Sequence, residues 1–265
     1  MRIRYVGVAL LAAFGATLAV ATPAQAADSK VSVVHGIPGQ AVDVWVNGNR
    51  TLQNFQPKQV AGPLSLPAGQ YDIVLTKPND PITSALLTVN DAQVPGDANI
   101  SLVAHLNAGG QPTLTPFVND TSRVGAGKAR LVVRHTAAAP GVDVRAGGTP
   151  VFTNLTNPNE QKGDVNAGTV SADVVLTGTT TVALGPTSLN LGEGTATIVY
   201  AIGSAQGNSL DVVAQTITGL HSAPGGVPSG SGGLADPNMT LWYLLAAAAA
   251  LLLVAGSRRL VAARR

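Results

Sequence analysis

The chain has no cysteine, so it can form no disulfide framework, and thiolate metal sites and thiol nucleophiles are excluded. Aromatic residues make up 4% of it and charged residues 11%. No stretch outside the two ends carries a helical period, so helix-based folds are not expected. The basic balance is also misleading. Six of the 16 Lys and Arg lie in the first four or last eight residues. Residues 27–240 hold 10 basic against 14 acidic residues, a net of about −4. No Lys/Arg stripe runs through them, so a nucleic-acid partner is excluded.

What is present is a self-echo at an offset of 100 residues. Val31-Ser-Val-Val-His35 returns as Leu131-Val-Val-Arg-His135, Val42-Asp43-Val44 as Val142-Asp143-Val144, and Gly48 as Gly148. A unit of this length is a whole domain rather than a solenoid repeat. Each copy reads as about seven short strands with turn residues between them. Asn47-Gly48 supplies a pair that tolerates positive φ in a tight hairpin. Pro57 to Pro63 reads as a chain break, and Pro67-Ala-Gly69 as a turn that returns as Asn166-Ala-Gly168. Ala172 to Thr177 aligns with Tyr71 to Thr76, and His105 with Ala201. The expected fold is all-β: two tandem immunoglobulin-like antiparallel β-sandwich domains. The domains span 27–120 and 129–218, with a linker at 121–128.

The ends frame them. Arg2 and Arg4, an apolar stretch to Val20 and Ala24-Gln25-Ala26 form a secretory signal over residues 1–26. Residues 219–238 are a Gly/Ser/Pro-rich stalk. Residues 239–257 carry no charge, and about 20 such residues in a helix cross a bilayer. Trp242 and Tyr243 sit at the outer interface, and the basic tail 258–265 stays inside. The expected localisation is a single-pass type I membrane protein with extracellular domains. No Leu-Pro-x-Thr-Gly precedes the apolar run, so the anchor is the membrane rather than a covalent wall link.

His35, Pro38, Val42-Asp43-Val44, Gly48 and Leu66-Pro-Ala-Gly-Gln-Tyr71 resemble the bacterial DUF4397 family. So do His135, Pro140, Val142-Asp143-Val144, Gly148 and Ala167-Gly168 in the second copy. That copy departs from the pattern at Asn166 and in lacking the Tyr71 aromatic. The resemblance implies exported or surface β-domains and no assigned activity.

Both copies share His35 with Asp43 and His135 with Asp143. A metal or catalytic site needs further ligands or a nucleophile, and neither copy offers a second shared His or a Gly-x-Ser-x-Gly elbow. The expectation is therefore structural: the four side chains fix turns. No catalytic residue, metal or cofactor is assigned. Trp45 shares a strand face with Asp43, opposite Val42 and Val44, so it points outward and is a candidate binding surface. The resulting expectation is a non-enzymatic surface protein whose modules contact a cell-wall polymer or surface protein. The alternatives are a carbohydrate-binding module centred on Trp45 and a hydrolase using His35 or His135.

Overall fold

The computed structural model describes residues 27–221; the signal, stalk, apolar run and tail lie outside the described residues. Within them no helix is long and apolar enough to cross a membrane. The first copy contains β1 (Ser29–His35), β2 (Val42–Val46), β3 (Asn49–Phe55), β4 (Val60–Leu66), β5 (Gly69–Thr76), β6 (Ala85–Val94), β7 (Asn99–Leu106) and β8 (Pro112–Val118). The second repeats the order: β9 (Lys128–His135), β10 (Val142–Ala146), β11 (Thr149–Leu155), β12 (Glu160–Asn166), β13 (Gly168–Leu176), β14 (Val182–Leu191), β15 (Ala196–Ile202) and β16 (Asp211–Ile217).

Each copy is a two-sheet sandwich. In the first, the sheet β3-β2-β5-β6 faces the sheet β4-β1-β7-β8; the second has β11-β10-β13-β14 and β12-β9-β15-β16. Val42 and Val44 of β2 point inward onto Val31, Ile100 and Leu102 of the opposing sheet. Val142 and Val144 do the same against Leu131 and Val133. Asn47 and Gly48 both have positive φ, at 48° and 77°, which gives the hairpin turn the twist its flanking strands need.

Three expectations are corrected. The sandwiches are not purely antiparallel: β1 runs parallel to β7 and β9 parallel to β15. Each copy has eight strands, because β4 continues through Pro63. Proline is tolerated there because β4 is an edge strand with a bulge in its pairing to β1. The sequence alignment also slips in two places. Ile73 pairs with Val46 and Ala172 with Ala146, so the counterpart of Tyr71 is Val170, two residues from the aligned position. His35 pairs with Ala104 and His135 with Ala201, so the counterpart of His105 is Ile202.

The two copies pack on each other. Val34, Val103 and Phe117 of the first form one buried cluster with Val132, Ile198, Tyr200, Ile202 and Val213 of the second. The sheets carrying β1 and β9 are therefore covered on both faces, which is why β7, β9 and β15 are buried along nearly their whole length. At about 1.5–3 kcal/mol for each fully buried large aliphatic or aromatic side chain, this cluster holds the copies together strongly. Gly36 sits where the backbones approach: a Cβ there would lie 2.9 Å from Ile202 Cγ2.

One cation is sealed into that interface. Arg134 stands where the first copy has Val34 and is 1% exposed. It donates from Nε to Glu160 at 2.8 Å, from Nη1 to the Tyr200 hydroxyl at 2.8 Å and from Nη2 to Asn119 Oδ1 at 2.8 Å. Its guanidinium also lies over Phe117 and Tyr200. Tyr200 donates to Gln215, which accepts from Ser101 as well, so the network crosses between the copies.

Strand directions give the body two unlike ends. The tops of the copies lie together: Lys58 pairs with Asp211 at 2.9 Å, and the Asn157 amide reaches the Leu106 and Ala137 carbonyls. Eight loops emerge at this top. The base holds the start of β1 and the departure of the chain at His221. There the Val124 amide bonds Leu220 and both residues bury against Ala196. The 121–128 linker is thus fastened at Val124 and also by Arg130, which donates to the Ser122 carbonyl and pairs with Asp120. Among the described residues, four apolar clusters fill the two sandwiches, the interface between them and the base.

Candidate functional site

The shared motif lies at the top, where β1 ends and β2 begins. His35 is fully buried, with Nε2 2.7 Å from the Gln40 carbonyl; His135 repeats this with Pro140 at 2.9 Å. A carbonyl only accepts, so each ring carries its proton on Nε2. The Nδ1 atoms of both rings are buried without a partner. Burial lowers the pKa of both histidines. The His35 ring packs on Phe55 with centroids 5.5 Å apart.

Asp43 lies on the other side of the sheet from these rings and does not bond His35. It accepts the Asn54 amide at 2.7 Å and the Asn79 amide at 3.0 Å, and Arg50 approaches at 3.4 Å. Asp143 accepts the Asn154 amide at 2.7 Å, the Gly178 amide at 3.3 Å and the Thr177 hydroxyl. The Asn154 amide bond is the main cause of its lowered pKa. Asn54 and Asn154 both have positive φ, and each aspartate fastens this end of β3 or β11 to the β5–β6 or β13–β14 loop. Replacing Asp43, which is 1% exposed, by alanine strands two amides and a guanidinium. The expected loss is about 2–4 kcal/mol. Urea unfolding followed by Trp45 fluorescence measures it, since Trp45 is the single tryptophan of residues 27–221. A change below about 0.5 kcal/mol would sink the fastening role.

Among the described residues, no group of three or more His, Asp or Glu is placed to hold a metal ion. Neither motif histidine hydrogen-bonds a hydroxyl or carboxylate. The structure does not bring each motif histidine together with its aspartate: they stand on different sheets, and each braces loops of its own.

Trp45 lies on the outer face, half-buried. Its Nε1 donates to Thr76 Oγ1 at 3.1 Å, and the Arg50 guanidinium lies 4.6 Å from the ring centroid. A stacking ligand would have to displace Arg50 from that face. In the second copy Arg145 takes the place of Trp45 and forms a two-point ion pair with Asp173, at 2.8 and 2.6 Å.

The feature that sequence reasoning missed is a groove at the top between the copies. It has a volume of about 570 Å³ and is bordered by the β7–β8 loop at Ala108–Gly110, the β9–β10 loop at Ala138–Pro140 and the β15–β16 loop at Ser204–Gln206. Small residues recurring in these loops are the only sequence signal for it, and that signal has meaning only once the copies are docked.

Fold and site together define a two-module β-sandwich body with loop-bracing motifs and an inter-module groove. Residues 29–145 match the family model described as "Domain of unknown function (DUF4397)". The match covers the first copy and continues through β9 to Arg145 of β10. No curated protein matches the chain. Among solved structures, the family 26 carbohydrate-binding module CBMbc from Eubacterium rectale Amy13K, in complex with maltoheptaose, is 10% identical. That alignment covers 75% of this chain and 98% of the module at a TM-score of 0.23, too low to carry anything over.

Proposed function

We propose that this chain is a non-enzymatic bacterial surface protein. Residues 1–26 export it and residues 239–257 anchor it as a type I membrane protein. It presents its two modules as one rigid body to a cell-wall polymer or another surface protein. The observation that carries this reading is the polarity of the body. The chain leaves at His221 on the base, while eight connecting loops and the 570 Å³ groove lie at the opposite end. A stalk running from the base to a membrane would hold the groove outward. The buried interface supports the same reading, because a rigid pair of modules presents its loops in fixed register without the ordering cost that a flexible pair would incur on binding.

The test is retention of wall-fraction polymers and culture proteins on immobilised residues 27–221. A specific partner is expected on the wild-type body. Retention should fall at least tenfold with Ala139→Trp plus Ala205→Arg, which obstruct the groove. Undiminished retention in that variant together with loss in Trp45→Ala would move the site to the outer sheet. No retained partner at all would remove the proposal.

A further inference from the structure

The two sandwiches close differently at the base. In the first copy Leu64, Tyr71 and Ile73 fill the space between the sheets, and the Tyr71 hydroxyl donates to the Pro67 carbonyl at 2.9 Å, closing the end. The space left inside is about 40 Å³. The sheet registers place Gly163, Val170 and Ala172 at the same three positions of the second copy, and Ala146 in place of Val46. Other changes go the opposite way, Val31 to Leu131, Leu52 to Phe152, Ala92 to Leu189 and Val94 to Leu191, and a Cβ placed on Gly163 would lie 3.8 Å from the Phe152 ring. A mouth of about 310 Å³ opens at the base, bordered by Leu131, Val151, Val165, Val170 and Leu191. It shares Leu131, Ala146, Val151 and Val170 with a further space of about 50 Å³ deeper between the sheets. Val151 is left 39% exposed at the opening.

We propose that this mouth binds the alkyl chain of a single-tailed carboxylate amphiphile, a fatty acid, tail first. The first copy shows what chemistry the space takes, because there the protein's own apolar side chains occupy it. The mouth's wall is mainly aliphatic, with Asn166 and Thr169 its polar side chains, so a polar or sugar ligand would recover few of the hydrogen bonds it gives up to water. A chain of methylenes regains the apolar contact that Leu64, Tyr71 and Ile73 supply in the first copy. The mouth adjoins the deeper space, the two sharing Leu131, Ala146, Val151 and Val170 in their walls, which suits a tail laid along both. At its rim Asn166 accepts from Lys128 Nζ at 2.8 Å, which places an ammonium beside the opening for a carboxylate head. The proposal is independent of what the top groove binds.

The test uses residues 27–221 with cis-parinaric acid as a fluorescent fatty acid and decanoate as competitor. Saturable one-to-one binding that decanoate displaces is expected. Ala172→Ile and, separately, Val170→Tyr restore first-copy residues, and each should weaken binding at least tenfold while leaving Tm equal or higher. Lys128→Ala should weaken decanoate severalfold and leave decanol unchanged. A spin-labelled fatty acid should broaden the amide resonances of Gly168 and Val170 in the wild type, a readout that needs no variant to fold. Absent or non-saturable binding, full binding in both filled variants, or broadening confined to the top loops would each overturn the proposal.

Discussion

Replacing Arg134 by alanine is expected to lower the melting temperature of residues 27–221 by roughly 10 °C. The guanidinium is 1% exposed and satisfies Glu160, Tyr200 and Asn119 at once. Removing one partner of a buried charged network costs about 3–5 kcal/mol, because the remaining groups stay buried without their bonds. For a body of this size each kcal/mol moves the midpoint by about 2–4 °C. Arg134→Met should cost less, since Glu160 is partly solvated and the methionine stem keeps the packing on Phe117 and Tyr200. Because the network spans both copies, the wild type should melt in a single calorimetric transition. A shift under about 3 °C in Arg134→Ala would show that the network contributes little.

The second large effect is acid destabilisation beginning well above the carboxylate range. His35, His105 and His135 are all buried, and burial is the first cause of the lowered pKa in each. A histidine whose folded pKa lies below its unfolded value binds fewer protons when folded, so its contribution is complete above the unfolded pKa and shrinks as pH falls below it. The unfolded value is 6.5. The loss should therefore start near pH 6.5, with a slope of up to about 1.4 kcal/mol per pH unit for each histidine. The carboxylates Asp143 and Asp173 have lowered pKa values, the first through backbone amides and the second through Arg145. Their contribution is lost only in a lower window, as pH falls through their folded pKa values. Thermal melts from pH 8 to 4.5 separate the two: a plateau above pH 7, then a steep fall before the carboxylates titrate. A flat profile down to pH 5 would contradict the histidine account, and His105→Leu should flatten part of the slope.

The strands of each copy and the hairpin at Asn47-Gly48 were legible in sequence because they follow local rules: alternation of apolar residues and residues that tolerate positive φ. The inward Val42 and Val44, with Trp45 on the opposite face, followed from the same alternation. The docking of the copies left a subtler trace. Ser101-Leu-Val-Ala-His-Leu106 is mostly apolar on both faces, which marks a strand covered on both sides, but period-two reasoning looks for one buried face. Arg134 actively misleads, since an arginine in a strand reads as solvent-facing until Glu160, Asn119 and Tyr200 are placed around it. The base mouth was hidden for another reason. It depends on matching Ile73 to Ala172 and Tyr71 to Val170, two residues away from the best-looking sequence alignment, and only the pairing of β5 with β2 and of β13 with β10 fixes that correspondence.

The polarity of the body also sets how it would carry load. A pull between the top loops and the chain leaving at His221 runs along the strand axes rather than across them. The inter-strand hydrogen bonds lie across that direction, so they would be sheared together instead of parting one after another. The β9–β15 pair, buried on both faces and locked by Arg134, lies directly in this path.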